Sequence, residues 1–142
     1  MTAGRTPAQL YALGLGIVLV LVGILGFVVD ASFDTGSNVQ GDELILFEVN
    51  GWHNLVHIAS GLVGLALAGK NSTARLYAFG FGAVYAVVTV WGIVDGQSVL
   101  GLIPVNGPDN VLHLAIAAVG ILAAVASPEG DRTSGRSSVT TT

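Results

Sequence analysis

Val49-Asn50-Gly51-Trp52-His53-Asn54-Leu55-Val56-His57 is a stretch that this chain uses twice. From position 105 it returns as Val105-Asn106-Gly107-Pro108-Asp109-Asn110-Val111-Leu112-His113, an offset of 56. Val, Asn, Gly, the second Asn and the final His are the same in both copies, and each copy runs into a long apolar segment. The match continues at Ala59, Val63, Gly64 and Ala68 against Ala115, Val119, Gly120 and Ala124. Upstream, Leu10-Tyr11-Ala12-Leu13-Gly14-Leu15-Gly16 parallels Leu76-Tyr77-Ala78-Phe79-Gly80-Phe81-Gly82 at an offset of 66, and Gly26 parallels Gly92. Chance alignment of apolar sequence gives Leu and Val matches; it does not keep Tyr, Asn, His and Gly in order. The chain therefore reads as an internal duplication of a two-segment unit.

Composition says what those segments face. Of 142 residues, 52% are hydrophobic and 10% are charged, and Gly occurs 20 times. A soluble domain carries about 25% charged residues, so this chain lacks the charge to cover a surface in water. The run from Gln9 to Val29 has no charge and as a helix spans roughly 30 Å, the thickness of a bilayer core. It is longer than the apolar centre of a secretory signal, and its internal counterpart in the second unit marks it as a retained helix. Four helices are expected, at about 9–29, 50–69, 76–95 and 108–126. Lys70 to Arg75 reads as the tight polar turn that makes helices two and three antiparallel neighbours. Asn50 and Asn106 are N-cap residues, and Pro108 suits a first turn. Ser32 to Gln40 is loop by composition. Leu44 to Phe47 is apolar but too short to span, and is expected to lie in the interface or fold back on the helices.

The fold class is then all-α: a polytopic four-transmembrane-helix bundle built from two parallel two-helix repeats, 9–69 and 76–126. Residues 1–8 read as a cytoplasmic lead and 127–142 as a disordered cytoplasmic tail. Helices two and four are expected to line the centre. Arg5, Lys70, Arg75, Arg132 and Arg136 are the only cations. With four spans they share one side, which the positive-inside rule makes cytoplasmic. The expected location is the cell membrane, multi-pass, with both termini inside. The expected partners are the lipid bilayer and a second copy or another membrane protein; without a basic patch, nucleic acid is not an expected partner.

The pattern resembles a family of small prokaryotic four-helix membrane proteins catalogued only as a domain of unknown function. The residues that carry the likeness are Phe47 to His57, Ala74-Arg75-Leu76-Tyr77-Ala78, Leu102 to Asn106, and Asp109 to His113. It covers about residues 8–126. It implies a polytopic membrane protein and no known reaction, and it supplies no catalytic residues.

The candidate polar site is Asn54, His57, Asn110 and His113. In each pair Asn and His are i and i+3 on one helix face, and ionisable groups at that depth normally face the bundle interior. Their commonest use is as interhelical polar contacts, worth about 0.6–2 kcal/mol each. A sharper reading joins His53 and His57, an i, i+4 pair, to Asp109 and His113, the matching pair, as ligands of a metal ion such as Zn²⁺. Another makes His57 and His113 axial ligands of a haem. A third uses Ser60, Tyr85 and Thr89 in transport or proton relay. No nucleophile elbow, His-Glu-x-x-His or phosphate loop is present, so enzyme activity is not expected. Chain chemistry is compatible with no cofactor at all.

Overall fold

A computed structural model describes residues 4–96 and 98–131. Four helices carry the fold: α1 (Pro7–Val29), α2 (Gly51–Leu67), α3 (Asn71–Asp95) and α4 (Gly107–Val125). α1, α3 and α4 are long and apolar enough to cross a membrane. α2 has 17 residues, about 25 Å of helix. Two small antiparallel hairpins precede the motif helices: β1 (Asp42–Leu44) with β2 (Phe47–Val49), and β3 (Ser98–Val99) with β4 (Ile103–Pro104).

Local chemistry sets the helix starts. Thr6 caps α1 in a capping box with Gln9, and Pro7 takes the first position. Asn50 caps α2 by accepting from the His53 N–H, and Asn106 caps α4 by accepting from the Asp109 N–H. α3 begins earlier than the polar sequence suggested. Asn71 to Arg75 form its first turn, and the connection shrinks to Ala68–Lys70. Polar residues suit a first turn because its N–H groups lack intrahelical partners.

α1 packs along α2 and α3 along α4; α1 also touches α3 and α4, and α2 touches α3. Small residues permit this. A Cβ on Gly16 would come 2.9 Å from the Gly61 carbonyl, and one on Gly82 would come 3.0 Å from the Ala117 carbonyl. These are the same contact at offsets of 66 and 56. The expectation that α2 and α4 line the centre is corrected: α1 and α3 approach there, and α2 and α4 meet through long side chains at one end. Ala8 and Ala12 of α1 and Ala74 and Ala78 of α3 are buried in one core cluster, whereas imidazoles stand between α2 and α4.

One end of the bundle, labelled inner after the expected orientation, holds the start of α1, the α2–α3 connection and the exit of α4. Thr6 donates to Asn71 at 2.6 Å, the Ala8 N–H donates to Ser127, and Arg75 donates to the Ala124 carbonyl. Residues 127–131, expected as the start of a disordered tail, are tied in. Asn71 donates to the Pro128 and Gly130 carbonyls, and Ser72 donates to Asp131. Arg132, Arg136 and the rest of the expected tail lie outside the described residues. At the opposite, outer end, Leu44 to Phe47 does not span; it closes the first hairpin, with Ile45 and Leu46 exposed at its tip and the hairpin strands against helix ends.

Candidate functional site

The outer end is braced by the two cap asparagines. While each Oδ1 caps its own helix, the Asn50 amide donates to the Leu102 carbonyl at 2.8 Å and the Asn106 amide donates to the Leu46 carbonyl at 2.9 Å. The pairs 50/106 and 46/102 both differ by 56, so each unit's cap holds the other unit's hairpin. Composition marked Asn50 and Asn106 as caps, but nothing in it revealed the second use.

Asn54 and Asn110 turn towards their own partner helices. Asn54 donates to the Asp30 carbonyl at the end of α1, and its amide oxygen lies where a Gly26 side chain would otherwise sit. Asn110 occupies the same place opposite Gly92. The paired glycines found in the sequence make room for the paired asparagines. Asp30 itself gains from its surroundings. Its partial burial raises the carboxyl pKa, but hydrogen bonds from Ser32 and Asp42 outweigh this and bring it below the ordinary carboxylate range.

The imidazoles turn the other way, into the space between α2 and α4. The His53 ring lies 4.3 Å from His57 and 6.2 Å from His113, and Tyr85 stands edge-on to His113 at 4.9 Å. All three histidines and Asp109 are buried. The structure thus separates each Asn from its His, although i, i+3 spacing put them on one face. One helix turn offers room for neighbours on both flanks, and the small residues of α1 and α3 draw the shorter side chain.

Here the two units depart from each other. His53 corresponds to Asp109, and Glu48 to Pro104. The Glu48 peptide joins both members of the first pair: its carbonyl accepts from His53 Nδ1 at 2.8 Å, and its N–H donates to Asp109 Oδ2 at 3.0 Å. Pro104 has no N–H and cannot repeat this contact. The Asn106 N–H donates to the same Asp109 oxygen at 3.0 Å. Ligand atoms of His53, Asp109 and His113 all lie within 4.8 Å of one another. His57, the fourth member of the expected metal set, stays outside that group, its ring tilted at 50° to that of His53. Nδ1 of His57 and Nδ1 of His113 are buried without a hydrogen-bond partner.

This packing does not suit a haem between His57 and His113. Two axial imidazoles need a flat gap for the macrocycle between them, and the His53 and Tyr85 rings fill the surroundings of the pair. The relay candidates donate to backbone carbonyls instead of to each other: Ser60 to Val56, and Thr89 to Tyr85.

No curated protein and no solved structure matches the chain. A family model described as a domain of unknown function, DUF4383, matches residues 9–126, and the chain belongs to that family.

Proposed function

We propose that this is a multi-pass protein of the cell membrane, crossing four times, with both termini cytoplasmic and the His/Asp/Asn cluster at the outer end. α1 and α3 both start at the inner end, where Thr6 meets Asn71. The chain between them must return across the same thickness, and α2 is the segment that does so. Arg5, Lys70 and Arg75 belong to the inner end, while residues 30–69 and 96–131 contain no Lys or Arg. This asymmetry supports the orientation.

In this reading, residues 9–69 and 76–126 are parallel repeats about an axis along the membrane normal, and the polar residues of the motif brace them together. The carrying observation is the reciprocal pair of bonds, Asn50 to Leu102 and Asn106 to Leu46. A tyrosine pair supports the same relation: Tyr11 donates to the Ile116 carbonyl and Tyr77 to the Ser60 carbonyl, again at offsets of 66 and 56. Asn54 and Asn110 act as contacts within each repeat. The protein's role is that of a rigid membrane component whose outer end presents the buried cluster. Transport and haem binding gain no support from the packing.

The native chain has no cysteine, so single cysteines report cleanly. Ser37→Cys is expected to react with an impermeant thiol reagent in intact cells, and Gly69→Cys only after permeabilisation. Labelling of both from the same side overturns the four-span orientation.

A further inference from the structure

We propose that His53, Asp109 and His113 form a binding site for a divalent transition-metal ion of the Zn²⁺ type at the outer end of the protein. The three residues come from two helices that otherwise scarcely approach, and all are buried, with 3%, 2% and 4% of their surfaces exposed. Their ligand atoms lie within 4.8 Å of one another. In a tetrahedral zinc site, metal bonds of about 2.0–2.1 Å place ligand atoms roughly 3.4 Å apart. Side-chain rotation of an ångström or so closes that difference.

The surroundings prepare these groups as ligands. His53 Nδ1 donates to the Glu48 carbonyl, which fixes the tautomer with its lone pair on Nε2. A metal-bound histidine usually directs its other nitrogen to such an acceptor. Asp109 Oδ2 is held by two backbone N–H groups, which orients the carboxylate. Asp109 and His113 are i and i+4 on α4 and so share a face. His113 Nδ1 has no partner at all. A buried imidazole nitrogen without a hydrogen bond costs about 1–3 kcal/mol, and a metal ion is one group that would use it.

The donor set selects the ion. Two imidazoles and a carboxylate suit Zn²⁺ and neighbouring first-row ions; Mg²⁺ and Ca²⁺ prefer all-oxygen shells, and Cu⁺ prefers sulfur. His57, with its own unpaired Nδ1, lies beside His53 but outside the group of three. The single carboxylate reduces the charge of a divalent ion to one positive unit, which matters in a poorly solvated place.

The test uses the full chain, purified in detergent and stripped with chelator. Co²⁺ titration is expected to give the visible bands of a four-coordinate nitrogen/oxygen site, saturating at one ion per chain, and added Zn²⁺ is expected to displace them. Zn²⁺ should also raise the thermal midpoint of the wild type. His53→Gln and His113→Gln should weaken Co²⁺ binding by at least about tenfold and abolish the Zn²⁺-dependent rise while helix content stays unchanged. Should either variant fail to fold, the wild type alone decides: the absence of both four-coordinate bands and a thermal rise overturns the site. Retention of both signals by folded variants overturns the ligand assignment.

Discussion

At the inner end, Asn71 accepts from Thr6 and donates to Pro128 and Gly130, and Ser127 accepts from Ala8 while donating to Ala123. At the outer end, five buried polar atoms lack a hydrogen-bond partner: Asn54 Oδ1, His57 Nδ1, Ser98 Oγ, Asn110 Oδ1 and His113 Nδ1. Among the described residues, every such orphan is outer. Buried polar groups in folded proteins are nearly always paired, and exceptions call for a cause. The inner end is therefore a closed latch, with its polar capacity used on its own chain. The outer end keeps capacity in reserve, and three of its groups converge as ligands would.

The largest expected effect contrasts two glycines of α1. A Cβ at Gly26, near the outer end, would overlap the Asn54 amide, whereas one at Gly14, in the inner half, meets nothing within 4 Å. Overfilling a packed site costs about 1–3 kcal/mol or more. Gly26→Ala should lower unfolding stability in detergent by about 3 kcal/mol, and Gly14→Ala should change it by under about 1 kcal/mol. Equal effects would mean that Asn54 is free to move aside and braces nothing.

A smaller effect should differ in kind between the ends. Asn71→Ala removes three hydrogen bonds, so about 2 kcal/mol is expected to be lost. His113→Leu, in metal-free protein, removes a nitrogen that has no partner. The recovered desolvation cost offsets the lost edge contact with Tyr85, and stability should stay within about 1 kcal/mol of the wild type. Denaturation in detergent with chelator present measures both. A loss at His113 as large as that at Asn71 would mean that its imidazole is already bonded.

Much of this contrast was legible in the sequence, in uneven parts. Helix existence followed from uncharged runs of bilayer length, and the paired Tyr, Gly, Asn and His positions stood out as counterparts at offsets of 66 and 56. Gly26 and Gly92 were visible as counterparts, but their purpose, clearing space for Asn54 and Asn110, depends on which way a side chain turns. The i, i+3 rule places residues on a face about a third of the helix wide, and it could not tell that each Asn goes to the partner helix while each His goes between α2 and α4. The hairpins were missed because strands of two or three residues carry no readable period. The early start of α3 was missed because polar residues in a first turn look like loop. His53 and Asp109 drew notice as an unlike pair in matching positions; what no spacing rule could supply was the Glu48 peptide, which touches both.

The central claim is that His53, Asp109 and His113 at the outer end are ligands of one metal ion. X-ray absorption at the zinc edge tests it most directly, on full-length protein loaded with Zn²⁺ and freed of excess. The account predicts a first shell of nitrogen and oxygen at about 2.0 Å, with the outer-shell scattering of two imidazoles. A shell of oxygen alone, with no imidazole scattering, would contradict it.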